Sequence, residues 1–320
     1  MNLIEELVKG KSGNAIYLTV IGDNFRNQFE KIALTYYVDY CKKYDIGLLI
    51  LNNYVDNNAQ KVAPYNLDPG YQRLLIPSLI KRMYREYWML ADMDADCIPG
   101  PLARNIFSEI TLARTGKKVV YLIYPTPKDV TRSHLGKRIS LLRKTFHDDE
   151  FPLDSLLAGD DEFEKRVLGF DFEGPIACMG TCLGHIDLMD QCGTLAYESI
   201  SSNFSGYLQN YRNKIFREIA DIKWLPYEYQ AIWNYEQALY YPFLYSNSNP
   251  ELAYECVQST LMRVDMLHFA GAWPENDVFF QGPFDKNNSM TPYFEKLPSY
   301  LAEQAVLSAY GRLKFKASRN

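Results

Sequence analysis

Histidine is scarce in this chain, with four in 320 residues, so an imidazole at the end of an apolar run is conspicuous. The six cysteines at 41, 97, 178, 182, 192 and 256 are too dispersed for a disulfide framework. Cys178, Cys182, His185 and Cys192 lack the C-x-x-C spacing of a zinc knuckle, so buried free thiols are expected. There is no basic excess: 34 Lys and Arg face 39 Asp and Glu, a net charge of −5, which argues against a dedicated nucleic-acid binder. No apolar run approaches the ~20 residues of a membrane span, and Met1 to Glu6 has neither the basic start nor the apolar core of a secretory leader. The sequons at Asn203 and Asn287 therefore carry no weight, and a reduced, cytoplasmic protein is expected. Glycine is missing where nucleotide motifs need it. No G-x-G-x-x-G follows the first strand, and Gly10-Lys11-Ser12 has Glu5 in place of the first P-loop glycine and a strand behind it. No repeat, low-complexity tract or linker divides the chain, so one domain over 1–320 is expected.

What is present is aromatic and acidic. Twenty-five Tyr, 17 Phe and 4 Trp suit stacking on sugars or bases, although most aromatics serve as core. The organising stretch is Tyr87 to Pro101, YWMLADMDADCIPGP. Its apolar start reads as a buried strand of an α/β sheet. Asp92, Asp94 and Asp96 then stand where such sheets place their ligands, at a strand's C-terminal end. Carboxylates at i and i+2 repel one another unless a cation joins them, and hard oxygen donors suit Mg²⁺ or Mn²⁺. An EF-hand fails because its sixth and twelfth places hold Cys97 and Ala103. A haloacid-dehalogenase-type phosphatase, with Asp92 as nucleophile and Gly159-Asp160-Asp161 as a later acidic motif, remains an alternative. So does an acidic turn that only solvates a strand end.

Around that stretch, Ala15–Ile21 reads as a strand, residues 29–44 as helix and Ile46–Leu51 as a second, parallel strand of a right-handed βαβ unit. Leu74–Tyr84 reads as a helix with Arg73 on its first turn, able to reach the acidic strand end. Lys117–Tyr124, Gly174–Gly184 and Arg263–Phe269 read as further strands, Pro125–Phe172 as a helical excursion, and Trp224–Tyr245 as an aromatic helical stretch. Residues 299–320 read as an amphipathic helix whose basic end, Lys314 to Arg319, offers peripheral contact with anionic lipid, though a helix C-terminus attracts cations in any case.

A strand ending DMDAD and a late strand ending His268-Phe269-Ala270-Gly271 together resemble the GT-A glycosyltransferases, most of all glycosyltransferase family 8. Tyr71-Gln72-Arg73-Leu74-Leu75-Ile76-Pro77 is similar to that family's Tyr-x-Arg-Leu-x-Ile-Pro helix. The resemblance implies a GT-A fold, a Rossmann-like and mostly parallel sheet flanked by helices. It implies a nucleotide-sugar half over 14–124 and an acceptor half over 170–275. It also implies retaining transfer from a nucleotide sugar, of the UDP kind, to a glycan, lipid-linked or protein acceptor, with Mn²⁺ or Mg²⁺ as cofactor. By the same resemblance Asp94, Asp96 and His268 are the metal ligands, and Arg73 and Gly271 contact the donor. Thr19, Val20, Gly22 and Asp23 then lie where the family holds uridine. The chain departs from the pattern at Ala272-Trp273-Pro274, where a Lys-Pro-Trp is usual, and at Cys178-Met179-Gly180, which lacks an asparagine. An inverting enzyme of surface polysaccharide synthesis is the runner-up. It would need a carboxylate base, for which Asp187, Glu228 and Asp171 are candidates.

Overall fold

The computed structural model describes residues 3–56, 69–110, 118–147, 174–199, 208–246 and 249–270. Asp171, Gly271 and the expected helix over 299–320 lie outside these residues. The core is a mixed α/β arrangement with a seven-stranded sheet flanked by helices. Its strands are β1 (Ile4–Val8), β2 (Asn14–Thr19), β3 (Gly47–Leu51), β4 (Met89–Met93), β6 (Val119–Ile123), β7 (Thr181–His185) and β8 (Asp221–Leu225). They lie in the order β1-β3-β2-β4-β7-β6-β8. β3, β2 and β4 pair parallel, as do β6 and β8, whereas β1 and β7 run antiparallel to their neighbours. Five strands therefore point one way, and β2, β4, β6 and β8 all end on one edge of the sheet.

The runs LLIL in β3, MLADM in β4 and VVYLI in β6 are buried throughout, and apolar apart from Asp92, because helices cover both faces. On one face α1 (Asp23–Ile32) and α2 (Leu34–Tyr44) pack Phe29, Tyr37 and Tyr40 against Ile16, Leu18 and Leu48. On the other, α3 (Ile76–Met83), α5 (Ile186–Ser199) and α6 (Leu208–Ile219) cover Tyr17, Leu90 and Leu122. The expected single helix over 29–44 is broken at Ala33, whose N–H bonds back to Phe29 while the chain restarts as α2.

Several sequence boundaries are corrected. The strand expected over 174–184 begins only at Thr181, and the one over 263–269 is β10 (Met266–His268). Trp224–Tyr245 is not one helical stretch. Trp224 belongs to β8, a 3-10 turn spans Tyr227–Gln230, β9 is Ala231–Ile232, and only Trp233–Tyr240 (α7) is α-helical. The helical excursion after β6 contains α4, Arg132–His147.

A second, three-stranded sheet positions the site. β5 (Cys97–Pro99) follows β4 after the Asp94–Asp96 turn and pairs antiparallel with β10, with His268 opposite Cys97. β9 pairs parallel with the other side of β10, with Ile232 opposite His268. This small sheet brings the late histidine to the acidic strand end.

Candidate metal and nucleotide-sugar site

Chain turn and hydrogen bonds fix Asp94 and Asp96 before any ligand arrives. The Asp94 N–H donates to the Gly180 carbonyl at 2.7 Å, Cys97 N–H returns to the Asp94 carbonyl at 3.0 Å, and Phe269 N–H reaches the Asp96 carbonyl at 3.1 Å. The buried Tyr37 hydroxyl lies 2.9 Å from the Asp94 carbonyl oxygen and 2.5 Å from that of Cys97, tying the turn to α2. Into this turn His268 projects from β10. Its Nε2 lies 3.3 Å from Asp94 Oδ2 and 3.4 Å from Asp96 Oδ1. One ligand atom from each of the three residues falls within 4.8 Å of the others. Among the described residues these are the ones that could hold a metal ion. Two carboxylates and one imidazole are a donor set that suits Mn²⁺ and accepts Mg²⁺, so the residues fit the cation that the sequence implies.

The electrostatics match that use. Burial works against charge on His268, but Asp96, together with hydrogen bonds to Asp94, Asp96 and Cys178, outweighs it and raises the imidazole pKa well above its ordinary value. Burial would raise the Asp94 carboxyl. Arg73 first and His268 second overcome this and hold it far below the usual carboxylate range. In the absence of a cation the imidazolium thus occupies the positive centre between the two acids. Only Gly fits at position 180, because a Cβ there would sit 2.4 Å from His268 Cε1.

Arg73 reaches the strand end, as its place on the helix turn suggests. Its Nη1 donates to Asp94 Oδ1, its Nε and Nη2 clamp Asp92, and Nη2 also lies 3.3 Å from the Met179 carbonyl. Asp94 therefore gives one oxygen to Arg73 and turns the other toward His268. Asp92 is 1% exposed, and its second oxygen is bound by Arg212 Nη2 at 2.6 Å. Held on both oxygens by two arginines, Asp92 is unavailable as the nucleophile of a dehalogenase-type phosphatase.

Arg212 was not expected at the site. It lies on α6, whose neighbouring Ile215 and Phe216 are core, so a lone arginine on an apolar helix face was the available signal. Burial disfavours its charge, and Asp92 is the anion that keeps it. The Cys182 thiol, 2.9 Å from Nη2, is itself pushed up to about 12 by burial and stays neutral. Three carboxylates and two guanidiniums leave this centre one negative charge when His268 is neutral, which a divalent cation would reverse.

The remaining candidates divide. Thr19 ends β2 on the same edge as Asp94, and its Oγ1 is buried with no partner among the described residues. Val20 is a core side chain whose N–H is used by Leu51, so it offers only backbone. Gly22 caps α1 at φ 96, with open space where a Cβ would be, and Asp23 opens that helix exposed. Asp187 does not belong to the cluster. It follows β7, which starts at the site edge and runs away from it for roughly 13 Å, and it pairs with Lys81 at 3.0 Å and His185 at 3.4 Å on the opposite edge. Nor does Glu228 join the acids. Its carbonyl accepts the Asp265 N–H three residues before His268. Glu228 instead lines a cavity of about 810 Å³ with Tyr124, Lys128, Asp129, Arg132 and Tyr227. That cavity opens at the ends of β6 and β8, on the same sheet edge as Asp94 and two strands, about 10 Å, across from β4.

The sequence matches no protein-family model and no curated protein. Solved structures to which this chain is similar include three glycosyltransferases. One is a glycosyltransferase involved in the glycosylation of the major capsid of PBCV-1, at 10% identity over 80% of this chain and 93% of that one, with a TM-score of 0.46. Another is the galactosyltransferase LgtC in complex with donor and acceptor sugar analogs, at 11% identity, covering 89% and 95%, with a TM-score of 0.45. A third is the bifunctional glycosyltransferase WbbM in its apo form, at 14% identity and a TM-score of 0.45; 88% of this chain is covered, but only 51% of WbbM, about half its length. Among the described residues no helix is long and apolar enough to cross a membrane.

Proposed function

We propose that this chain is a metal-dependent glycosyltransferase that moves a sugar from a nucleotide donor, of the UDP kind, to a glycan, lipid-linked or protein acceptor. The observation that carries this reading is the convergence of Asp94, Asp96 and His268 beside Arg73, at the open end of a parallel strand. Breaking a bond from an anomeric carbon to a diphosphate leaves an oxocarbenium-like centre and a departing anion, so the site must stabilise negative charge on that leaving group. A divalent cation bound here would supply Lewis acidity and a fixed template for the diphosphate. The chain's own residues do the rest. Asp94, Asp96 and His268 hold the cation, while Arg73 is fixed by Asp92 so that its positive charge stays beside Asp94. The loop from Thr19 to Asp23, which starts at a Thr19 hydroxyl without a partner among the described residues, is where the nucleoside rests in this reading. The cavity beside Tyr124 and Tyr227 is where the acceptor approaches, with Glu228 and Asp129 as hydrogen-bond acceptors for its hydroxyls. Retention of anomeric configuration follows from the family 8 motifs alone and belongs to the proposal in that measure.

The test is a thermal-shift panel of nucleotide sugars with and without Mn²⁺, followed by an assay of UDP release. A ligand that binds only the native state raises Tm. Stabilisation that requires Mn²⁺ and a UDP-sugar together, and is lost in Asp96→Asn, is the expected result. Indifference to every nucleotide sugar in the presence of Mn²⁺ would overturn the reading.

A further inference from the structure

Gln230 is a polar side chain in an aromatic segment, and its surroundings account for it. It closes the 3-10 turn Tyr227–Gln230 immediately before β9 and is 2% exposed. The turn is rigid. The Ile232 N–H donates to the Tyr227 hydroxyl at 2.9 Å, the Glu228 carbonyl accepts from Asp265, and β9 is in register with β10. From that frame the Gln230 amide nitrogen lies 3.1 Å from His268 Nδ1, on the far side of the ring from the two carboxylates. Its carbonyl oxygen is buried and has no partner among the described residues. A Cβ at residue 180 would fall 2.8 Å from the amide nitrogen, so the Gly180 backbone closes the amide's pocket as well as the ring's.

An imidazole that binds a cation through Nε2 has its hydrogen on Nδ1, and that hydrogen needs an acceptor. The two nitrogen and oxygen positions of a glutamine amide are assigned by hydrogen bonding, and a half-turn about χ3 exchanges them. Turned over, Gln230 places its carbonyl oxygen against Nδ1–H. The other group at Nδ1, the Cys178 thiol, lies at 3.9 Å and is a weak acceptor.

Resting on the metal-site reading above, we infer that Gln230 is the positioning residue that selects the Nδ1–H tautomer of His268 and thereby presents Nε2 to the cation. It touches neither cation nor substrate. Its effect is on how well the third ligand is prepared.

The experiment uses the full chain with ¹⁵N-labelled histidine, loaded with Mg²⁺ for NMR, and Mn²⁺ titrations followed by electron paramagnetic resonance. In the wild type the His268 nitrogens should show a protonated Nδ1 and an unprotonated Nε2. Gln230→Leu should reach that pattern only at higher Mg²⁺ and bind Mn²⁺ about 10- to 100-fold more weakly, the usual cost of losing a partner behind a ligating histidine. Gln230→Glu, which still offers an acceptor oxygen, should keep the tautomer and bind within a few-fold of the wild type. This variant and the wild-type spectrum decide the matter if Gln230→Leu does not fold. A wild type that binds Mn²⁺ with the hydrogen on Nε2, or a Gln230→Leu variant with unchanged affinity, overturns this inference alone. A wild type that binds neither Mn²⁺ nor Mg²⁺ overturns the metal-site reading and this inference with it.

Discussion

The sharpest test of the electrostatic design is Asp92→Asn, which keeps side-chain volume and removes one buried charge. Asp92 pairs with Arg73 at 2.8 Å and with Arg212 at 2.6 Å, on side chains that are 11% and 3% exposed. At an effective dielectric of about 20, each contact is worth roughly 6 kcal/mol of gross attraction. Most of that is offset by the desolvation of all three groups, and removing one member of a buried pair costs about 3–5 kcal/mol net. Arg73 retains Asp94, but Arg212 retains only a neutral thiol, and its Nε and Nη1 already lack partners among the described residues. The cost should therefore fall within that range. With an unfolding entropy of about 2.1 cal/mol/K per residue, ~4 kcal/mol over this chain lowers Tm by about 6 °C. Thermal unfolding by circular dichroism in metal-free buffer reads the shift. Asp96→Asn is the control. Its side chain is 16% exposed and, among the described residues, pairs with His268 rather than with two arginines, so the substitution should cost less stability than Asp92→Asn while abolishing Mn²⁺ binding. A loss of less than about 2 °C in Asp92→Asn, or an equal loss in both variants, would refute the assignment of Asp92 to architecture and Asp96 to the cation.

Three further outcomes follow from the same geometry. Gly180→Ala drives a methyl group into His268 Cε1 and the Gln230 amide, and should weaken Mn²⁺ binding at least 10-fold in a titration. Iodoacetamide at neutral pH should label Cys178 ahead of the other described cysteines, as read by peptide mass spectrometry. Burial would raise this thiol, but its hydrogen bond to His268 brings it below the ordinary value. Burial pushes Cys97, Cys182 and Cys192 up to about 12, and Mn²⁺ should slow the labelling of Cys178. Metal-free stability should fall as pH rises above about 6.5. His268 has a raised folded pKa, so its contribution is complete below the unfolded value and is lost through the raised one, by up to about 1.4 kcal/mol per pH unit. Denaturant unfolding from pH 6 to 9 should show this slope in the wild type and not in His268→Ala.

The elements legible in the sequence are those whose burial is uniform. β2, β3, β4 and β6 are near-continuous apolar runs, and the acids and the histidine that end β4 and β10 stand out because charge rarely follows such runs. The partly exposed edge strands are hard to see. β1 reads IEELV and β8 reads DIKWL, with polar residues toward solvent, and Trp224 in β8 blends with the aromatic stretch behind it. Asp187 and Glu228 were plausible as acids near strands. A sequence does not say at which edge of a sheet a strand ends when that strand, like β7, runs against its neighbours. Arg212 and Gln230 are hard to read in the sequence for the opposite reason. Each is a polar residue that packing, rather than pattern, turns inward, and only the partner across the fold identifies its task.

The three-residue ribbon formed by β5 and β10 sets an order of events. Residues 94 and 96 are made early in the chain and residue 268 some 170 positions later, and they meet only when these two short strands zip together. Such a distant pairing forms late, because closing a long loop is costly until the rest of the sheet has gathered. A ribosome-bound chain that has emerged only through β8 would carry the acidic turn with neither imidazole nor amide behind it. If the proposed metal site holds, competence to bind a cation would report that β10, the last strand among the described residues, has docked, and divalent-ion affinity would double as a probe of that step.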